Sequence, residues 1–508
     1  MTTKENLPQV IAAARDAQVL WNDYPFSKKA ACLKAARAFM AGHIDEIAQT
    51  IHKDNGKLLI DALSAEALPA FMAMDYYLKH AKKFMRDKKL GMGSILMFNK
   101  KSRIVYRPIG VVGIISPWNY PFAIPFSEVV MALLAGNAVI LKTASVTTGV
   151  GRLLESIFNA AGLPAGLFSY CEIPGAEAGS AFIEGGIDKL FFTGSTKTGK
   201  ELMALAAPRL LPLVLELGGA DAAIVCADAD ISRAAKGLLW AGYSNAGQIC
   251  GGVQRILVHK SIYKKFLAEF CRLVSALRPG NGLDADFGPM TTMKQKEAVE
   301  KLIQDCIEGG AVVAAKNADF QGDSEADNKD KFLNAVVLTA EGLDKDKVMA
   351  LPVMEDEIFG PVTIVLPFTD EGEAASIANA SSYALTSSVW SKDRRRALNL
   401  ARQLNAGAIM INDHLMSHGL AETSWGGPGG ASDSGLGRTH GELGFMEMLK
   451  TEFVVDDFLP GVRRDIYWHP YSAKVYEQMR ALTAFLAGVK PLSQIPKVLS
   501  LVMRYWKK

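Results

Sequence analysis

The chain has 508 residues, 49% hydrophobic and 21% charged, with a formal net charge of +3. That length exceeds what one hydrophobic core organises, so two or more domains are expected, and the near-balanced charge carries no global signal for nucleic acid or an acidic ligand. The cysteines Cys32, Cys171, Cys226, Cys250, Cys271 and Cys306 lie far apart without a C-x-x-C pair, which argues against a disulfide scaffold or a metal site and points to a reducing, cytoplasmic setting.

The N-terminus leads into an Ala-rich amphipathic segment without the apolar stretch of a secretory signal. Residues 7–90 read as helices, with Val10, Ala13, Ala17 and Leu20 at helical spacing and Leu33, Ala36, Phe39 and Met40 repeating it. From 90 to 107 the pattern turns extended and glycine-punctuated, as expected of a hairpin or an edge strand. Strand patterns then fall at 111–115, 138–141, 167–170, 189–192 and 213–215, with a helix at 149–161. The apolar run 122–141 contains Pro125, Glu128, Gly136 and Asn137, so it reads as a core helix entering a core strand and not as a membrane span.

A second alternating set follows Gly219. It comprises a strand at 222–225, a helix at 231–243, a strand at 255–258, a helix at 261–277 and later strands near Val312, Val336, Val362 and Ile409. Such alternation implies parallel sheets with helices on both faces, and the boundary between the two sets falls at 216–219. The segment 316–331, with Asp319, Asp323, Glu325, Asp327 and Asp330, reads as a surface excursion.

Two features carry chemistry. Cys250 sits in Asn245-Ala246-Gly247-Gln248-Ile249-Cys250-Gly251-Gly252, among small groups and amide dipoles, an environment that favours a reactive thiol. Glu216 ends the apolar run 210–215 and precedes Gly218-Gly219, where a strand gives way to a loop. Thiol plus carboxylate suggests a nucleophile with a base. Residues 461–508 carry nine Lys/Arg (Arg463, Arg464, Lys474, Arg480, Lys490, Lys497, Arg504, Lys507 and Lys508) against Asp465 and Glu477. There Val475, Met479, Leu482 and Phe485 share one helical face, and Val498, Leu501, Val502 and Tyr505 share another. Two readings stay open for this tail: an apolar face packed over a subunit and capping the substrate funnel, or an amphipathic helix on an anionic membrane surface.

Laid end to end, the motifs resemble the NAD(P)-dependent aldehyde dehydrogenase superfamily. They are Pro108-Ile109-Gly110-Val111 through Ser116-Pro117-Trp118-Asn119-Tyr120-Pro121, Gly136 to Lys142, Phe192-Thr193-Gly194-Ser195-Thr196, Glu216-Leu217-Gly218-Gly219, Gly247 to Cys250, Glu357-Ile358-Phe359-Gly360-Pro361, Gly407 to Asn412 and Ser434-Gly435-Leu436-Gly437-Arg438. The resemblance implies an α/β fold. Its expected parts are a Rossmann-type cofactor domain (1–89 and 108–218), an α/β catalytic domain (219–445) and a small β oligomerisation element (90–107 and 446–458), followed by the basic tail 459–508.

It also implies oxidation of an aldehyde, aliphatic by expectation, to the acid with NAD or NADP through a cysteine thiohemiacetal and thioester. Cys250 would be the nucleophile, Glu216 the base that activates water, and Asn119 an oxyanion donor beside the Cys250 backbone N–H. Ser195 would face the pyrophosphate, Lys142 the adenosine ribose, and Glu357 and Phe359 the nicotinamide ribose and ring, with Ser116, Trp118, Gly194 and Gly218 completing the cofactor contacts. Ser145 stands where many members place a glutamate that repels a 2′-phosphate, so acceptance of NADP is expected. The implied partners are a small aldehyde and further copies of the chain, as homodimer or homotetramer, with no nucleic acid. A CoA-acylating enzyme, a succinate-semialdehyde-type specificity and a catalytically silent relative are the rivals; the carboxylate at 216 weighs against the first, and the retained Cys250, Glu216 and Asn119 against the last.

Overall fold

The computed structural model describes residues 3–321, 328–430, 432–459, 465–489 and 491–503. The chain separates into two units, one formed by 1–85 with 107–450 and the other by 86–106 with 451–508.

The larger unit holds two sheets. The first has six strands in the order Gly435–Leu436, Leu213–Glu216, Lys189–Thr193, Val111–Ile115, Ala138–Lys142, Phe168–Tyr170. All pairs are parallel except the edge pair, where Gly435 faces Glu216 and Leu436 faces Leu215 in antiparallel register. The second sheet has seven strands in the order Val312–Lys316, Val336–Thr339, Val362–Phe368, Val253–His259, Asp221–Val225, Thr386–Trp390, Ala408–Ile411, parallel but for the pair at the Val312–Lys316 edge. The central strands Val111–Ile115, Ala138–Lys142 and Asp221–Val225 are buried at every position. Continuous Val/Ile/Leu/Ala runs are what a parallel strand covered on both faces requires. The fold class read from the sequence is the one observed.

Local sequence explains the helix that delivers the site. All thirteen residues of Ala123–Ala135 are buried, as a helix apolar all round must be. Gly136 ends it in the left-handed region at φ 97°, where a side chain would be strained. At the other end, Glu66 Oε2 accepts from the N–H groups of Phe122 (2.7 Å) and Ala123 (3.2 Å), a carboxylate placed against the positive end of a helix dipole. Glu66 lies in a π-helical turn, Leu63–Ala67, inserted between the helices Leu59–Ala62 and Leu68–Phe84. Its other oxygen pairs with Lys57 Nζ at 2.6 Å, and both side chains are wholly buried. Removing either partner would strand the other's charge, at a cost of about 3–5 kcal/mol.

The smaller unit contains a three-stranded sheet, Lys88–Lys89, Lys100–Pro108 and Leu449–Asp457. The segment expected to be a hairpin from 90 to 107 is only partly so. Its first strand is a two-residue pairing at 88–89, and a 3-10 turn at Ile95–Met97 separates it from the second, because the two glycines in Gly91-Met92-Gly93-Ser94 weaken any continuing ladder. Lys100 bridges Asp457 (2.6 Å) and Asp465 (2.5 Å). The tail forms two helices, Ala473–Leu486 and Pro491–Val502, packed around Ile466, Leu482 and Leu501 with Met479, Val498 and Val502. Arg463, Arg464, Lys490, Arg504, Tyr505, Lys507 and Lys508 of the basic run, and Asp323, Glu325 and Asp327 of the surface excursion, lie outside the described residues. Among the described residues no helix is long and apolar enough to cross a membrane.

Candidate active site

Glu216 closes a strand of the first sheet, and Asp221 opens a strand of the second. The two glycines between them bring the cysteine loop into contact. A Cβ on Gly219 would sit 2.2 Å from the carbonyl oxygen of Cys250, so any side chain there displaces the thiol's own backbone. The loop entering Cys250 is equally constrained. Asn245 and Ala246 both adopt left-handed conformations (φ 51° and 53°), and a Cβ on Gly247 would meet the carbonyl oxygen of Gly360 at 2.1 Å. Strain of this kind persists only where surrounding contacts over-determine it. Here they do: Asn245 Nδ2 donates to the carbonyls of Asn119 (3.3 Å) and Gln248 (3.2 Å), and Gln248 Nε2 donates back to Asn245 O at 2.9 Å.

The thiol differs from its sequence-based reading in one respect. Burial pushes the Cys250 pKa far up, and the carboxyls of Glu357, Asp221 and Glu216 push it the same way, while the Gly251 backbone N–H offsets only part. The amide-rich loop read from the sequence as favouring a reactive thiol is outweighed by burial and by these three carboxyls, and the resting group is a thiol. Glu216 is buried, with neither carboxylate oxygen hydrogen-bonded among the described residues. Its pKa is raised strongly, first by burial and then by the neighbouring Glu128, with Arg438 opposing. Gly426 (φ 133°) leaves the room: a Cβ there would lie 2.8 Å from Glu216 Oε1. A raised pKa makes the ionised carboxylate a stronger base, suited to take a proton from water delivered to it. Asn119 is buried and donates through Nδ2 to Gln248 O at 3.0 Å, which orients the amide and leaves its second N–H available.

The residues expected at the cofactor, apart from Glu357 and Phe359, lie at or just beyond the carboxyl ends of first-sheet strands, where a doubly wound sheet binds ligands. Ser116 follows the strand Val111–Ile115, and its hydroxyl is buried without a partner. Lys142 ends the adjacent strand, and burial lowers its pKa. Ser145 is exposed at the start of the 3-10 turn Ser145–Thr147. Ser195 caps the helix Thr196–Ala206, its Oγ accepting from Thr198 N at 3.3 Å, and the free N–H groups of that first turn suit a phosphate. Gly194 precedes it, packed over the Phe192 ring at a distance that leaves no space for a Cβ (2.5 Å). Glu357 accepts from Gly219 N at 3.2 Å, burial raises it to about 8, and its Oε2 would be 2.6 Å from a Cβ on Gly218. Phe359 (φ 53°) meets Trp118 edge-on at 5.3 Å between ring centroids. A helix terminus, an orphaned hydroxyl and glycines that keep the floor open fit a dinucleotide.

Cys250 also lines a cavity of about 210 Å³. Its other walls are mostly apolar, including Leu68, Pro69, Met72, Tyr120, Ile124, Trp240, Ile249, Leu415, Met416 and Trp425, with Asp61, Ser64, Ser244, Asn245 and His418 the polar members. Among the described residues no lysine or arginine lines it. At its rim Leu68, Met72, Trp240 and Met416 are 55%, 44%, 46% and 43% exposed, so apolar surface continues from the cavity to solvent. His418 is half-buried, and loss of water around its ring depresses its pKa to about 4 and keeps it neutral; it meets the Trp425 ring edge-on at 5.1 Å.

Sequence reasoning did not bring forward these cavity residues, nor His414, whose ring bridges Ser388 Oγ (2.8 Å) and Gly251 O (3.2 Å) and steadies the segment after the thiol. The same holds for Asp221, which accepts from Thr386 N (2.9 Å) and Oγ1 (2.8 Å) where the second sheet meets that segment. A histidine two residues after the buried-strand motif ending at Asn412 is the one signal that could have drawn attention to His414.

The aldehyde dehydrogenase family model matches residues 1–454. A 4,4'-diapolycopene aldehyde oxidase from Methylomonas sp is 34% identical over 490 residues, covering 96% of this chain and 88% of that protein. A provisionally named succinate-semialdehyde dehydrogenase (NADP+) from Mycolicibacterium smegmatis is 33% identical, covering 89% of this chain and 84% of its own length. Among solved structures, a double mutant of betaine aldehyde dehydrogenase from Staphylococcus aureus in complex with NAD+ superposes with a TM-score of 0.83 at 29% identity, over 92% of each chain.

Proposed function

Because the chain belongs to the aldehyde dehydrogenase family and so oxidises aldehydes to carboxylic acids, we propose that its substrate is a neutral, apolar aldehyde, taken through the cavity that Cys250 lines. The observation that carries this reading is the cavity wall. Its aliphatic and aromatic surface continues to an exposed rim and, among the described residues, contains no cation that could pair with a second carboxylate. A succinate-semialdehyde specificity, suggested by the name of the mycobacterial relative, would need such a cation; the apolar lining instead accords with the name of the Methylomonas relative.

The cofactor is NAD or NADP, the molecules named for similar proteins. When bound, its nicotinamide supplies the hydride acceptor. The chain's own residues supply the rest. Cys250 loses its proton and attacks the carbonyl carbon, and the free N–H of Asn119, with the Cys250 backbone N–H, stabilises the oxygen that gains charge. Loss of the aldehyde hydrogen leaves an acyl thioester on Cys250. Glu216 then takes a proton from water as that water attacks, and the acid departs with the thiol restored. The two unpartnered oxygens of Glu216 favour water over CoA as the acyl acceptor. Ser145, a neutral hydroxyl on an exposed turn near the buried Lys142, supports acceptance of NADP beside NAD.

The working domain assignment is a cofactor domain at 1–89 and 108–218, a catalytic domain at 219–445 and an oligomerisation element at 90–107 and 446–458. The chain is read as a cytoplasmic homodimer or homotetramer, joined through the three-stranded sheet whose strand Leu449–Asp457 exposes Phe453 (69%) and Val455 (62%). For the tail, a peripheral lipid contact is supported by the helix connection, where Leu486, Val489 and Leu492 are exposed, and by Lys474, Arg480 and Lys497 on the same pair of helices. The test of the central reading is growth of reduced-cofactor absorbance across linear aldehydes from propanal to decanal with each cofactor. kcat/KM is expected to rise with chain length, and a flat or falling series contradicts the reading.

A further inference from the structure

Among the described residues, Asp61 is the single carboxyl lining the apolar cavity that holds Cys250. It stands in the helix Leu59–Ala62, just before the π-helical turn, and its Oδ2 is buried with no hydrogen-bond partner among the described residues. Lys57, the cation that could neutralise it, is committed elsewhere. Its Nζ is 2.6 Å from Glu66 Oε1, its side chain is wholly buried, and it lies 3.8 Å from the centroid of the Tyr120 ring. A carboxyl with one oxygen buried and unbonded is unfavourable here, and a hydrocarbon side chain would serve an apolar pocket better.

We propose that Asp61 is a charge filter in the substrate site: it rejects aldehydes that carry a second carboxylate at the far end and admits neutral ones of the same length. The inference rests on the cavity being the aldehyde site. A substrate carboxylate entering there would lose its water, find no cation on the wall, and meet a like charge in a medium of low dielectric. A neutral chain of equal length meets only the aliphatic and aromatic wall. Burial and Glu66 raise the Asp61 pKa while Lys57 and the Asn245 backbone N–H pull it back, so the filter strengthens as pH rises and the carboxyl gives up its proton.

The test compares hexanal, 6-oxohexanoate and the methyl ester of 6-oxohexanoate with the full-length wild-type protein and with Asp61→Asn and Asp61→Ser. In the wild type, the ester should be oxidised about as efficiently as hexanal and the free acid about 10- to 100-fold less so. Each variant should close most of that gap, raising the acid-to-hexanal ratio of kcat/KM. Equal wild-type rates for acid and ester overturn the proposal without recourse to any variant. So does a parallel loss with all three aldehydes in the variants, which would make Asp61 a positioning group for the Asn245 loop. The propanal-to-decanal series tests the apolar-substrate reading separately, and it can hold while the acid-to-ester ratio fails.

Discussion

The junction between Gly219 and Cys250 and the apolar cavity meet at one thiol, yet they differ in how much each would tolerate change. At the junction a single methyl group would stand 2.2 Å from the Cys250 carbonyl oxygen, and the loop before it holds two non-glycine residues in left-handed conformations. The cavity has about 210 Å³ of space, and four of its rim side chains are roughly half exposed. Chemistry is thus fixed by backbone against backbone, whereas substrate choice is left to side chains that can be exchanged without moving the chain. One scaffold can then keep a reaction while changing its aldehyde.

Breaking the rigid side should have the largest effect. Gly219→Ala is expected to lower kcat by about 10²-fold or more for every aldehyde alike, because a displacement on the order of 1 Å at the nucleophile is enough. Steady-state kinetics with short and long aldehydes would check it, and a loss confined to long substrates would contradict the division of labour. A smaller effect is expected at the adenosine end, where the wall is again a side chain. Ser145→Glu should raise the NADP KM by the equivalent of about 1–3 kcal/mol and the NAD KM far less, through charge repulsion at the 2′-phosphate. Equal shifts for the two cofactors would remove Ser145 from that position.

Glu128 sharpens the comparison from the rigid side. Burial raises its carboxyl to about 8 from the ordinary 4.5, so it contributes stability below pH 4.5 that is lost as pH rises towards 8. Glu128→Gln should therefore be more stable than the wild type by about 1–2 kcal/mol at alkaline pH, with the difference vanishing below pH 4.5, as denaturant melts at several pH values would show. It should also move the rise of turnover with pH to lower pH, because Glu128 helps keep Glu216 protonated. The smallest effect belongs to the cavity rim. Trp240→Ser should cost about 1 kcal/mol, roughly fivefold in kcat/KM, with decanal and almost nothing with propanal.

What the sequence discloses follows the same division. The backbone-determined parts are written in contiguous stretches: Glu216 to Gly219, Gly247 to Cys250 and Glu357 to Pro361 each carry their glycines and functional groups within a few residues. Buried parallel strands are equally legible, because 111–115 and 138–141 are unbroken apolar runs. The strand Thr386–Trp390 is not, since Thr386, Ser387 and Ser388 look solvent-facing although every position is buried and hydrogen bonds satisfy Thr386 and Ser388. The cavity is hidden for a different reason. Asp61, Tyr120, Trp240, Met416 and Trp425 come from five separated segments, and an apolar residue on a helix looks the same whether it faces a core or a substrate. The raised Cys250 pKa is likewise a sum over groups at 216, 221 and 357 that only the fold brings together.

The central claim is that the junction performs covalent oxidation at Cys250, with Glu216 needed only for release. It is tested most directly by quenching Glu216→Gln in mid-turnover with an aliphatic aldehyde and NAD(P)+ and measuring the intact mass. The account predicts a burst of reduced cofactor, protein heavier by one acyl group located on the peptide containing Cys250, and steady turnover lowered by about 10²–10⁴-fold. A burst accompanied by unmodified protein, or turnover equal to the wild type, would contradict it.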